Sequence, residues 1–183
     1  VQSVSNDILR AMNRGYSREH YLELVRQLKE VCPQIRLSTD IIVGFPGETD
    51  EDFNATIDLL EQVCFADIYS FIFSPRRGTA AAELDDPTPE AVKQQRFDQM
   101  LTLQKELSRK LWAQDVGQVC QLLVEGESKQ GEGQQFGRTT WGRIVNFSSE
   151  RNLTGQIVPV RIIKSFKNSQ LGELVAQTDG LNP

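Results

Sequence analysis

The stretch S-T-D-I-I-V-G-F-P-G-E at residues 38–48 sets the fold of the chain around it. Ile41, Ile42 and Val43 form an unbroken apolar run, which predicts a strand covered on both faces. Gly44 and Gly47 bracket Phe45-Pro46. Glycine brings backbone close to a bound group, or takes turn conformations closed to other residues. Thr49, with Asp52 three residues on, reads as a capping-box helix start. Parallel α/β folds hold their ligands at the C-terminal ends of strands. A plain strand-to-helix turn without a ligand fits the pattern equally well.

Upstream, Ser5 is a candidate N-cap for a short helix through Ile8, Leu9 and Met12, with Gly15 as its C-terminal break. A second helix starts at Ser17, where Tyr16 and Tyr21 have the spacing of a hydrophobic staple. Leu22, Val25, Leu28 and Val31 repeat along it at helical spacing, and Pro33 stops it. Downstream, a helix from about Asp50 to Val63 places Phe53, Ile57, Leu60 and Cys64 on one face. Residues 67–74, D-I-Y-S-F-I-F-S, are rich in aromatic and β-branched residues and read as the next strand. Two strand-helix steps of this kind belong to a parallel sheet. Two or three such strands cannot close a barrel or cover their own edges. Together with a first residue, Val1, that is not Met, this marks the sequence as a piece of a longer protein.

Pro75 to Thr79 form a turn bearing Arg76 and Arg77. A proline-bearing acidic segment then leads to a polar helix of about Glu90 to Ala113, read as a surface-packed connector. Its apolar residues are Val92, Phe97, Met100, Leu101, Leu107 and Leu111. From Gly117 the texture changes to short strands and turns: 119–124, strands within 137–147 and 155–165, and Leu171 to Ala176. Pro159 inside an alternating run points to an edge or a bulge. Four or five strands in so short a length predict a small OB-like barrel. Such barrels bind RNA loops with basic and aromatic side chains. Arg138, Trp141, Arg143, Phe147, Lys164, Phe166 and Lys167 could form that surface, although scattered charges on a solvated barrel give the same composition.

The net charge of −5 over 183 residues excludes a wholly basic nucleic-acid binder. The sum conceals a split: residues 1–115 carry 13 Lys and Arg against 19 Asp and Glu, and residues 116–183 carry 7 against 6. The three cysteines, Cys32, Cys64 and Cys120, stand far apart with His20 as the lone imidazole, which predicts no protein-held metal. With no membrane-spanning stretch and no signal-like segment, a cytoplasmic location is expected.

Several stretches together carry a resemblance. Q-S-V-S-N at 2–6, M-N-R-G-Y at 12–16, the stretch at 38–48 and F-I-F-S-P-R-R-G-T at 71–79 are followed by L-V-E-G at 123–126, G-R-T at 137–139 and V-N-F at 145–147. In order and spacing this set resembles the radical-SAM methylthiotransferases, and most of all their bacterial tRNA branch. That branch converts isopentenyladenosine beside the anticodon to its 2-methylthio derivative.

The resemblance implies an α/β fold: the C-terminal part of a radical-SAM partial (β/α) barrel at 1–83, a linker helix at 84–116, and an all-β TRAM barrel at 117–183. It implies S-adenosylmethionine and two 4Fe-4S clusters in the full-length protein, with the cluster-ligating cysteines absent from this chain. The cofactors would supply the radical, sulfur and methyl chemistry, so the chain alone is expected to be inactive. Gln2, Ser3, Asp40, Ile42, Gly44, Phe45, Gly47 and Glu48 would line the S-adenosylmethionine side of the cavity. Arg76 would contact substrate phosphate or cofactor carboxylate, and Arg138, Arg143, Asn146 and Lys164 would face tRNA. The partners implied are tRNA and an electron donor for the clusters, with no membrane.

Two residues depart from the family pattern. Val4 replaces a glycine, which matters if that loop needs positive φ, and Arg77 replaces a proline. Two other functions remain open: methylthiolation of an aspartate on a ribosomal protein, and RNA binding without catalysis.

Overall fold

A computed structural model describes residues 2–175. Its packing separates into two units, the first ending at Ser108 and the second beginning at Arg109.

In the first unit, helices α1 (Asn6–Ala11) and α2 (Arg18–Val31) precede strand β1 (Ser38–Val43). Helix α3 (Asp50–Val63), strand β2 (Asp67–Ile72), a 3-10 turn (Ala80–Glu83) and the long helix α4 (Glu90–Ala113) follow. Local chemistry sets the helix starts. The Ser5 and Ser17 hydroxyls accept from Ile8 N and His20 N, and Tyr16 meets Tyr21 with ring centroids 6.4 Å apart, as a staple requires. Thr49 and Asp52 form a reciprocal capping box. The left-handed residue after α1 is Asn13, at φ 56°, rather than Gly15. Asparagine tolerates that region because its short side chain bonds locally.

Strands β1 and β2 pair in parallel from Ser38↔Asp67 to Val43↔Ile72. Contrary to the expectation of a strand covered on both faces, β1 alternates. Thr39, Ile41 and Val43 are buried, whereas Ser38 and Asp40 are exposed and Ile42 is half-buried. The covered face packs with Val25 of α2, Leu60 of α3 and Met100 of α4. The other face presents Asp40 beside Tyr69 and Ile42 beside Phe71, and Tyr69 and Phe71 are exposed. Along α2, Val25 is buried and Tyr21 and Leu22 are partly buried against this core, whereas Leu28 and Val31 are exposed despite their helical spacing. On α3 the buried face is Phe53, Thr56, Leu59, Leu60 and Val63, and Cys64 leaves it as a left-handed C-cap.

Helix α4 is more than a surface connector. Lys93, Arg96, Met100 and Leu107 are buried along it. Counting apolar positions alone missed the first two, whose charges are paired inside the protein.

The second unit is a closed five-stranded barrel of β3 (Val119–Glu127), β4 (Gln134–Thr139), β5 (Ile144–Ser148), β6 (Ile157–Ser165) and β7 (Gln170–Leu174), in the order β3-β4-β5-β7-β6. Leu122, Val124, Val145, Phe147, Val160 and Ile162 fill it. Ala176, expected at the end of the last strand, lies outside the described residues. β6 is paired on both sides, so Pro159 is not on an edge. Its carbonyl accepts from Val175 N at 3.0 Å, just past the end of β7, so the proline leaves out only the reciprocal bond at that last position. Register shifts at Val124/Gly126 and Ile162/Lys164 supply the bends that closure requires.

Candidate functional site

The turn after β1 is built on its two glycines, Gly44 at φ 70° and Gly47 at φ 85°. Glu48 closes it from within: its N–H donates to Phe45 O at 2.9 Å, and its Oε2 accepts from Gly44 N at 2.8 Å. Glu48 is 5 % exposed. Burial pushes its carboxyl above the usual range, opposed by the Gly44 N–H and the Arg96 guanidinium. Arg96 Nη1 reaches Glu48 Oε2 at 3.0 Å and Glu48 O at 3.1 Å, while its Nη2 binds Asp50 at 2.7 Å. A buried carboxylate oxygen that takes both a backbone amide and a guanidinium ties the two together. Glu48 is therefore a brace for the turn.

Beyond the C-terminal ends of β1 and β2 lies an open cleft of about 700 Å3, lined by Ile42, Phe45, Phe71, Phe73, Arg76 and the end of α1, among others. Phe45 and Phe73 meet edge-to-face at 5.1 Å. The cleft thus offers apolar and aromatic walls with two exposed guanidinium groups, Arg14 and Arg76, suited to a flat ring bearing an anionic group. Phe71 and Phe73 were read only as strand residues. Their period-two spacing was the signal that both would face the same way.

Of the residues expected to hold the cofactor, Ile42, Phe45 and Arg76 share this cleft. Gln2 accepts from Ile42 N at 2.9 Å through its carbonyl and from the Tyr16 hydroxyl at 3.1 Å through its side chain. Ser3 is 1 % exposed and outside the cleft lining, and its hydroxyl has no hydrogen-bond partner among the described residues. Asp40 lies on the uncovered face of β1, one strand position pair from Ile42. Gly44, Gly47 and Glu48 shape the turn. Val4, in the glycine position, is not left-handed and is buried in the core, so its branched side chain brings no strain. Arg77 stands in a turn closed by Thr79 N to Arg76 O at 3.1 Å, with Gly78 at φ 84° supplying the positive φ.

On the barrel, Arg138 is exposed and bonds Glu125 at 3.0 Å and Gly142 O at 3.1 Å. Lys164 Nζ stands 5.2 Å over the exposed Phe166 ring. Arg143 is half-buried: its Nη2 donates to Phe166 O and Lys167 O at 2.7 and 2.9 Å, and its guanidinium lies 4.9 Å over Trp112. Asn146 departs from the expected outward position. It is 8 % exposed, and its Oδ1 accepts from Ser128 at 2.7 Å. The β3–β4 loop folds over it, which alternation along β5 could not reveal.

Two family models match this chain: the radical SAM superfamily over residues 1–60 and the TRAM domain over residues 113–175. A curated relative in Syntrophotalea carbinolica, tRNA-2-methylthio-N(6)-dimethylallyladenosine synthase, is 55% identical over 175 residues, 96% of this chain and 40% of the relative. Proteins of the same name in Geotalea uraniireducens and Clostridium botulinum are 48% and 44% identical, over 95% and 94% of this chain.

The chain belongs to the radical-SAM methylthiotransferase family. It spans about two-fifths of the length of these curated relatives, as their 38–40% coverage shows. The α/β unit and the closed OB-like barrel are the fold expected of that family, and the radical-SAM match covers β1, its glycine turn and the start of α3. The methylthiotransferase barrel is likewise matched along nearly its whole described length. Among the described residues, no group of three or more His, Cys, Asp or Glu is placed to hold a metal ion, and no helix is long and apolar enough to cross a membrane. Cys32 and Cys64 are exposed and Cys120 is half-buried.

Proposed function

We propose that this chain provides the cofactor wall and the RNA-holding barrel of a cytoplasmic tRNA methylthiotransferase, which adds a methylthio group to C2 of isopentenyladenosine beside the anticodon. The observation that carries this reading is the aromatic cleft at the C-terminal ends of β1 and β2, with Arg76 at its rim and a braced glycine turn as its wall. These residues fit S-adenosylmethionine: Ile42 and Phe45 offer an apolar wall to the adenine, and Arg76 suits a carboxylate or phosphate. When bound, that cofactor supplies the radical and methyl-donor chemistry of the reaction. The residues of this chain bind and orient, and none moves a proton.

The side chains present do not fit a 4Fe-4S cluster, because the three cysteines are dispersed on separate elements. No step is assigned to a cluster here. In this reading the two clusters and the surface that meets their electron donor belong to other parts of the enzyme. On the barrel, Arg138, Lys164 and Phe166 are the exposed groups that suit tRNA. Arg143 supports them by tying the Phe166–Lys167 carbonyls to β5, and Asn146 fixes the β3–β4 loop.

A filter-binding titration of full-length protein with tRNA over a salt series tests the reading. Replacing Arg138 and Lys164 together by alanine is expected to weaken binding and reduce the slope of log K against log salt by about 1–2. Unchanged affinity and slope would refute the tRNA assignment and favour the ribosomal-protein aspartate as substrate.

A further inference from the structure

The Gly44–Glu48 turn is held from behind by helix α4. Lys93 and Arg96 lie one helical turn apart on α4, both buried, at 3 % and 7 % exposure. Lys93 runs its aliphatic stem across Gly44, so closely that a Cβ there would fall 2.6 Å from Lys93 Cγ. Its ammonium is tethered to Asp86 at 2.6 Å and Glu90 at 2.8 Å, which fixes the stem in that path. Arg96 grips the other end of the turn through Glu48 O and Glu48 Oε2, reaches Asp50 at the start of α3, and stands 5.7 Å over the Phe53 ring. Glu48 in turn holds the Gly44 amide. The backbone of the turn is thus fixed at both glycine ends by one face of α4, while Phe45 between them contributes to the cleft.

A core that needed only mass at these positions would be served by apolar residues. Burying two cations instead requires hydrogen-bonding partners, which serve the Lys93 ammonium and both terminal nitrogens of Arg96 while its Nε has none among the described residues, and it confers directional bonds that apolar contacts lack. Those of Arg96 end on the main chain and carboxylate of Glu48 and on Asp50, and those of Lys93 end on Asp86 and Glu90, which hold its aliphatic stem against Gly44.

We propose that Lys93 and Arg96 are positioning residues of the cofactor site, setting the conformation of the Gly44–Glu48 turn and through it the shape of the cleft. The inference rests on the reading of that cleft as the S-adenosylmethionine site, but the clamp can be measured without the ligand.

The experiment uses full-length protein with Arg96→Met, Arg96→Lys and the paired change Glu48→Gln with Arg96→Met. The paired change avoids leaving an uncompensated buried carboxylate if the single variant folds poorly. Three quantities are read: hydrogen exchange at the Gly44 amide, the Kd for S-adenosylmethionine by equilibrium dialysis, and the thermal midpoint. Losing a charged hydrogen-bond pair predicts roughly tenfold faster Gly44 exchange and roughly tenfold weaker binding in Arg96→Met and in the paired variant. Arg96→Lys should fall between, because an ammonium cannot reproduce the fork that spans Glu48 and Asp50. A purely structural role would lower the thermal midpoint while leaving Gly44 exchange and Kd at wild-type values, and that result overturns the proposal. If wild-type protein binds no S-adenosylmethionine, the ligand reading fails separately. Gly44 exchange then decides the clamp: acceleration in the variants upholds it, and an unchanged rate removes it.

Discussion

Tyr21 shows how a single side chain ties the fold to pH. It is half-buried as the second ring of the staple that starts α2, and burial, with Tyr16 beside it, pushes its phenol up to about 12 from 10.0. A folded-state pKa raised above the unfolded one gives stability that is whole below the ordinary value and is lost as pH rises through the raised one. Tyr21→Phe cannot ionise. Wild type and variant should therefore differ by a constant amount below about pH 10, and wild type should lose ground to the variant between about pH 10 and 12. Urea midpoints across that range measure it, and parallel curves would contradict the assignment. The staple spacing was visible in sequence. Which of its rings would be covered was not, because cover comes from packing partners distant in the chain.

Among the elements, α3 was read most completely, and its start explains why. The capping box at Thr49 and Asp52 is local chemistry, with Thr49 Oγ1 and Asp52 N 3.2 Å apart and Asp52 Oδ2 3.0 Å from Thr49 N. Thr49→Ala removes one half of it and should cost about 1 kcal/mol, read as a lower denaturation midpoint of the first unit. Because this cap directly follows Glu48, its loss should also speed exchange at the first α3 amides. Helix α4 was read least well. Its register could be followed, but the sequence could not show that Lys93 and Arg96 turn inward, since Asp86 lies in the segment before the helix and Glu48 and Asp50 lie in the distant turn after β1. For β1, the apolar run Ile41–Val43 correctly marked a strand but overstated its cover. Ile42 lines the cleft on the uncovered face rather than the core.

In the molecule as a whole, two separate hydrophobic cores serve two kinds of task. The barrel closes because backbones approach where side chains are absent: a Cβ on Gly137 would lie 2.3 Å from Leu123 O, and one on Gly172 2.3 Å from Val160 Cγ1. Gly137→Ala should therefore destabilise the barrel by about 1–3 kcal/mol through overpacking against backbone that cannot yield. Hydrogen exchange resolved along the chain should show lost protection in β3 and β4, with the amides of β1 and β2 unchanged. A loss spread equally over both sets would mean that the cores fold as one.

The sequence by itself determined the order of elements, the helix starts, the glycine turn after β1 and the presence of a small barrel, because caps, turns and period-two patterns act between near neighbours. Its set of ordered motifs also pointed to the methylthiotransferase family. Tertiary structure alone decided which face of β1 is open, that Phe71, Phe73 and Arg76 share a cleft with Ile42 and Phe45, and that Asn146 is covered. It also placed two buried cations behind the Gly44–Glu48 turn. These are matters of which distant segments meet. A charged residue is read from sequence as solvated until the carboxylates that make its burial tolerable are seen beside it.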